Sequence, residues 1–236
     1  MPCARTLLAL VAVLAPACTS PRAPSPSPFV PAGEDPERWA GEVAGLRAQP
    51  LPSAPPVVFL GSSSIRLWRT LAADMAPLPV VNAGFGGSKL FDAVYWCDTL
   101  LAGVTPRAVV VFSGTNDLAG DAPREPAWLA ARFDELVARV RLHTDAPIVY
   151  LAITPTPARE RHLARVLEAN RLIAARCAAT QGVRFLDTAG LFLDAAGQPD
   201  PRWFVTDGLH LAPAGYAQWT RALRPALAEL LGDFDA

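Results

Sequence analysis

Short apolar runs recur along this chain, each pair separated by enough residues for one helix. Residues 57–60 read VVFL, 79–83 PVVNA, 108–112 AVVVF, 147–153 PIVYLAI and 183–187 VRFLD. A strand covered on both faces is apolar throughout instead of alternating, and such strands belong to parallel sheets. Between the runs the apolar spacing changes to that of helices. Residues 64–75 and 88–101 read as helices. Leu129, Phe133, Leu136, Val137 and Val140 form one helical stripe, and Leu163, Val166, Leu167, Ile173 and Cys177 form another. Residues 213–231 read as a last helix, opened by Pro213 and kinked at Pro225. Ahead of the first strand, Asp35-Pro36 has the form of a helix cap followed by a first-turn proline, with Trp39, Val43 and Leu46 on one face. This alternation predicts an α/β domain: a parallel sheet of about five strands with helices on both faces.

Proline divides the chain. Of 24 prolines, twelve fall in residues 1–56 and twelve in the remainder. Residues 1–17 (MPCARTLLALVAVLAPA) read as a signal peptide. Arg5 precedes an apolar run from Leu7 to Leu14, and Ala15-Pro16-Ala17 makes a small-residue cleavage site. That run is shorter than the roughly 20 residues a bilayer crossing needs. LAPAC resembles a bacterial lipoprotein box with Cys18 as the lipidated residue, although Ala15 stands where leucine is usual. Ordinary cleavage after Ala17 is the competing reading. Residues 18–33, with five prolines and three serines, read as an extended tether. One domain is expected over 34–236, delivered to a bacterial envelope (periplasm or outer membrane) or secreted. Membrane contact is expected only through a lipid on Cys18. Of the other cysteines, Cys97 and Cys177 fall in helical segments, as two buried thiols or one disulfide.

Charge excludes one class of partner. The net charge is −1 with no basic stripe, so nucleic acid has no electrostatic footprint. Lys89 is the single lysine. Oligomeric state has no signature.

In parallel sheets, ligands bind beyond the carboxyl ends of the strands. Gly61-Ser62-Ser63-Ser64 follows the first apolar run, Gly84-Phe85-Gly86-Gly87-Ser88 the second, and Ser113-Gly114-Thr115-Asn116-Asp117 the third. Thr206-Asp207-Gly208-Leu209-His210 stands late in the chain. The 84–87 glycines fit neither the dinucleotide nor the phosphate-loop spacing. Taken singly, each tract reads as a cap, a turn or a surface pair. Together they meet the needs of acyl transfer, which requires a serine, a base in reach and a carboxylate to orient that base. There are three histidines. His143 reads as a helix C-terminal cation. His162 has only Glu160 nearby. His210 has Asp207 three residues before it, in a glycine-containing turn. Loop glycines and an asparagine amide are the donors an oxyanion needs.

These tracts resemble the four sequence blocks of the SGNH (GDSL-type) serine hydrolases, in order. They are FLGSSSIRLW (59–68), VNAGFGGS (81–88), FSGTNDL (112–118) and TDGLHLAPAGY (206–216). The resemblance implies a three-layer α/β/α sandwich with a flavodoxin-like five-stranded parallel sheet. It also implies a catalytic Ser63 with Asp207 and His210, and an oxyanion hole of the Ser63 N–H, Gly87 N–H and Asn116 amide. No metal and no organic cofactor is implied. Ser62 replaces the family's usual Asp, and three consecutive serines leave Ser64, and more remotely Ser62, as rival nucleophiles. The chain has no Gly-x-Ser-x-Gly elbow, the mark of the ordinary α/β-hydrolase fold. The expected activity is hydrolysis of carboxylic esters, with short acyl groups on carbohydrate preferred as substrate. The alternatives are a lysophospholipase or thioesterase acting on longer chains, and a non-catalytic glycan-binding envelope lipoprotein.

Overall fold

The computed structural model describes residues 28–119 and 122–232. Five parallel strands form one sheet: β1 (Val57–Gly61), β2 (Val80–Gly84), β3 (Ala108–Phe112), β4 (Ile148–Leu151) and β5 (Val183–Leu186), in the spatial order β2-β1-β3-β4-β5. All five apolar runs are strands. β1 and β3 are buried along their whole length, which is why neither alternates in sequence. The register of β1 and β2 runs from Val57 opposite Val80 to Gly61 opposite Gly84, so the loops after both strands emerge side by side.

Successive side chains point to opposite faces of a strand. Val58 and Leu60 of β1, Val109 and Val111 of β3 and Ile148 and Tyr150 of β4 enter one core cluster. There they meet Val43 of α1 (Ala40–Arg47) and the apolar faces of α4 (Leu90–Leu101), α5 (Pro126–Arg141) and α6 (Leu163–Ala178). Val57, Phe59, Val110, Phe112, Val149 and Leu151 point the other way. They pack on Ile65 of α2 (Ser63–Arg66), Leu71 of α3 (Leu71–Asp74) and Tyr216, Trp219, Leu223 and Leu227 of α7 (Pro213–Leu231). The predicted three-layer sandwich is therefore the observed one. α7 starts at Pro213 and runs through Pro225 as one helix.

One predicted helix is corrected. Residues 64–75 form two single-turn helices, α2 and α3, instead of one. The break lets the Trp68 ring turn inward, where it stacks on Tyr216 at 5.3 Å and meets Phe59 edge-on at 5.7 Å. Trp68 Nε1–H and the Thr70 hydroxyl both donate to Asp74 Oδ2 at 2.6 Å and hold the bend. Cys97 and Cys177 are buried free thiols. Burial raises the Cys177 thiol to about 12.

Residues 1–27, which carry the predicted signal peptide, Cys18 and most of the tether, lie outside the described residues. The end of that tether lies against the domain. Pro31 is buried, and the Arg132 guanidinium sits 4.9 Å from the Phe29 ring. A 3-10 helix over Pro36–Trp39 follows, capped by Asp35 as expected, with Oδ1 accepting from Glu37 N–H at 3.0 Å.

Candidate active site

The three consecutive serines have three different environments. Ser62 caps α2 and is wholly buried. Ser64 is buried, and its carbonyl accepts from the Tyr216 hydroxyl at 2.8 Å. Ser63, the first residue of α2, is partly exposed, and its Oγ lies 3.0 Å from His210 Nε2. Gly61 makes this turn feasible, because a Cβ there would stand 2.1 Å from the Phe112 carbonyl oxygen.

His210 is held by its own loop. Asp207 Oδ1 accepts from the N–H groups of Leu209 at 2.8 Å and His210 at 2.9 Å, and Oδ2 lies 2.7 Å from His210 Nδ1. The Val205 N–H to His210 carbonyl bond closes the turn at 2.9 Å, and Ala158 N–H ties Gly208 to the neighbouring loop at 3.0 Å. With Asp207 accepting from Nδ1–H, Nε2 is left to accept from the Ser63 hydroxyl. Desolvation alone would raise the Asp207 pKa. The hydrogen bonds from His210 and Leu209 outweigh it and bring the carboxyl down to about 2.

Gly87 and Asn116 share the wall of a cleft of about 520 Å³. Gly87 has φ +69°, a left-handed conformation that side chains oppose. Among the described residues, neither the Ser63 nor the Gly87 N–H has a backbone acceptor. Asn116 Nδ2 donates to the Ser88 carbonyl at 2.9 Å, and Oδ1 accepts from Arg159 Nη2 at 2.9 Å. An amide carries two N–H donors, so the second remains for the cleft. The five predicted site residues fall into two sets: Ser63, His210 and Asp207 linked by hydrogen bonds, and Gly87 and Asn116 on the cleft wall, joined through Ser88, whose hydroxyl donates to the Gly61 carbonyl at 3.4 Å and whose carbonyl accepts from Asn116.

The other histidines lie elsewhere. His143, just past the end of α5, pairs with Asp98 at 2.8 Å, and His162 Nε2 accepts from Arg161 Nε at 3.0 Å. Among the described residues, no group of three or more His, Cys, Asp or Glu is arranged to hold a metal ion.

Several residues around the site were not assigned a role from the sequence. Arg159 donates to the Thr115 carbonyl and hydroxyl at 2.7 and 3.1 Å as well as to Asn116. It follows β4, so the strand-end rule that found the serines extends to it. Glu34 pairs with Lys89 and, at 3.1 Å, with Arg124. Glu42 Oε2 accepts from Gly86 N–H at 2.8 Å, and Trp39 meets Phe85 edge-on at 6.0 Å. The segment before β1 thus braces the 84–88 loop. Asp117, beside Asn116, is fully enclosed. Its Oδ2 accepts from Leu90 N–H at 2.9 Å, while Oδ1 has no partner among the described residues. Burial, helped by the Asp92 charge, pushes its carboxyl up to about 7.

A model of the GDSL-like lipase/acylhydrolase family matches residues 55–218. The chain belongs to that family. It is therefore a serine hydrolase with ester hydrolase chemistry, and the fold of solved GDSL-like structures agrees. A GDSL-like lipase from Bacteroides thetaiotaomicron superposes with a TM-score of 0.68 at 19% identity, covering 83% of this chain and 98% of that one. A lipase/acylhydrolase from Enterococcus faecalis does so at 0.62 and 16%, covering 78% and 100%. An acetyl esterase mutant with an acetate ion gives 0.56 at 17%, covering 77% and 100%. Among curated proteins, none matches this chain. Glu34, Trp39 and Glu42 all precede the part of the chain matched by the GDSL-like family model.

Proposed function

We propose that this GDSL-like hydrolase removes short acyl groups, acetyl above all, from hydroxyls of carbohydrate, using Ser63 as nucleophile. The observation that carries this reading is the hydrogen-bond chain from Ser63 Oγ through His210 to Asp207, beside Gly87 and Asn116. Ser63 Oγ attacks the ester carbonyl carbon while His210 Nε2 takes its proton. Asp207 holds the imidazole tautomer and stabilises the imidazolium. The tetrahedral oxyanion takes N–H donors from Ser63, Gly87 and Asn116, each worth about 2.7–4 kcal/mol of transition-state stabilisation. His210 then protonates the departing alcohol. Water, deprotonated by His210, releases the acid from the acyl-enzyme.

Substrate size follows from the cleft. Its lining includes Glu34, Lys89, Asn116, Arg124 and Arg159, and a long aliphatic tail there would strip water from charged groups without replacing it. A short acyl group and a hydroxyl-rich alcohol suit it better. An acetyl esterase among the structures of like fold is consistent with this. A series of nitrophenyl esters from acetate to laurate tests the reading. Rates falling steadily with chain length are expected, and a preference for laurate overturns it.

Residues 1–17 act in this proposal as a leader, with Cys18 lipidated and residues 18–33 as the tether to a bacterial envelope. Its support is the sequence LAPAC and the prolines beyond it. Expression in a bacterial host with labelled palmitate should mark the wild type and not Cys18→Ala. Equal labelling of the two rejects lipidation at Cys18.

A further inference from the structure

The cleft beside Gly87 and Asn116 has an uneven charge. Among the described residues that line it, Lys89, Arg124 and Arg159 are cationic and Glu34 is the one carboxylate. Both Lys89 and Arg124 reach the same atom, Glu34 Oε1. Arg159 donates its hydrogen bonds to neutral groups, the Thr115 carbonyl, the Thr115 hydroxyl and Asn116 Oδ1, with the buried Asp117 carboxyl as the acidic group that acts on its charge. It is also partly buried, where bulk water screens its charge less than at an open surface. Among the described residues, the lining therefore keeps a surplus of positive charge one side chain away from Asn116. A cleft walled by one sign of charge concentrates ligands of the other sign.

We infer that the cleft selects esters whose acyl or alcohol part carries an anionic oxygen group, a carboxylate or its phosphate equivalent, seated against Lys89, Arg124 and Arg159. This rests on the esterase reading and deepens it. The resident Glu34 carboxylate competes with the substrate's own anion for Lys89 and Arg124. It thereby sets how strongly the cleft discriminates, and it comes from the segment ahead of the family-matched domain.

The test compares matched esters that differ in charge. On the alcohol side the pair is 4-acetoxybenzoate and its neutral methyl ester. A second alcohol-side anion, 4-acetoxyphenyl phosphate, separates carboxylate from phosphate. On the acyl side the pair is nitrophenyl hemisuccinate and nitrophenyl butyrate. Each kcat/KM is divided by the hydroxide-catalysed rate of the same ester, which removes intrinsic reactivity. An anionic member should lead its neutral partner by about two- to fivefold, the size of one exposed charge pair. Glu34→Gln should widen the lead. Lys89→Met and Arg124→Met should narrow it, as should high ionic strength. These ratios are internal to each variant, so a loss of folded protein does not imitate them. Neutral members leading on both sides, or a lead that shrinks in Glu34→Gln, would overturn the inference. Neutral acetates hydrolysed by the wild type and not by Ser63→Ala keep the esterase reading even then. A wild type that cleaves no ester overturns both.

Discussion

Asp207 and His210 form one side of the site, three residues apart in one turn. The other side is a cleft whose lining includes Glu34, paired with Lys89 and Arg124 across 55 and 90 positions of sequence. The first side lies wholly within residues 55–218, where the family model matches, and the second depends on a segment before it. Their carboxylates also differ. Asp207 is fixed by the N–H groups of Leu209 and His210 and by a ring nitrogen, whereas among the described residues Glu34 is fixed by cations from other loops. The acid–base pair of the reaction side is prepared within one turn, and His210 then meets Ser63 across 147 positions of sequence. The charged side is assembled entirely by tertiary packing. Substitutions on the reaction side should therefore lower the rate on every ester, and those on the charged side should redistribute rates among esters.

The largest effect tests the first half of that statement. Asp207→Asn keeps the turn but offers the wrong tautomer to His210, and kcat should fall by about 10⁴-fold for charged and neutral esters alike. A loss restricted to one charge class would erase the distinction between the two sides. Next comes the support beneath the nucleophile. Trp219 is fully buried, with its ring 4.5 Å from Phe112 and 5.7 Å from Trp68. Trp219→Ala should cost about 3–5 kcal/mol in chemical denaturation. In the proposed mechanism Asn116→Ala removes an oxyanion donor, and kcat should drop about 10²–10³-fold with KM much less affected. A change in KM alone would move Asn116 from the reaction side to the charged one.

The last test is a pH dependence. Asp117 titrates at about 7 in the folded chain against an ordinary 3.8. Between those values the folded chain holds a proton that the unfolded chain has released. Its contribution to stability is thus full below about pH 4 and is lost as pH rises through about 7. Thermal unfolding should give a wild-type Tm that falls from about pH 5 to about pH 8, and Asp117→Asn should fall less. Parallel curves would mean that Asp117 is ionised throughout.

Much of this molecule was legible in its sequence, and the gaps have physical causes. The strands were readable because a doubly covered strand has no polar face, as in AVVVF. The separation of α2 from α3 was not, because it answers to the burial of Trp68 against Tyr216, 148 positions away by number (216 − 68). Ser63, Asp207, His210, Gly87 and Asn116 were singled out through their ordered motifs. Local chemistry alone left Ser62, Ser63 and Ser64 equivalent, and burial now separates them. Glu34 carries no local signal, and Arg159 carries only its place in the loop after β4. Each resembles any charged residue in a loop until the fold brings it to Lys89 or Asn116.

The central claim is that Ser63, and neither of its neighbours, is the nucleophile acting through His210. Fluorophosphonate labelling followed by peptide mass mapping tests it most directly. The account predicts one adduct on Ser63 in the wild type, none in Ser63→Ala, and strongly slowed labelling in His210→Ala. A label on Ser64, or undiminished labelling of Ser63→Ala, would contradict it.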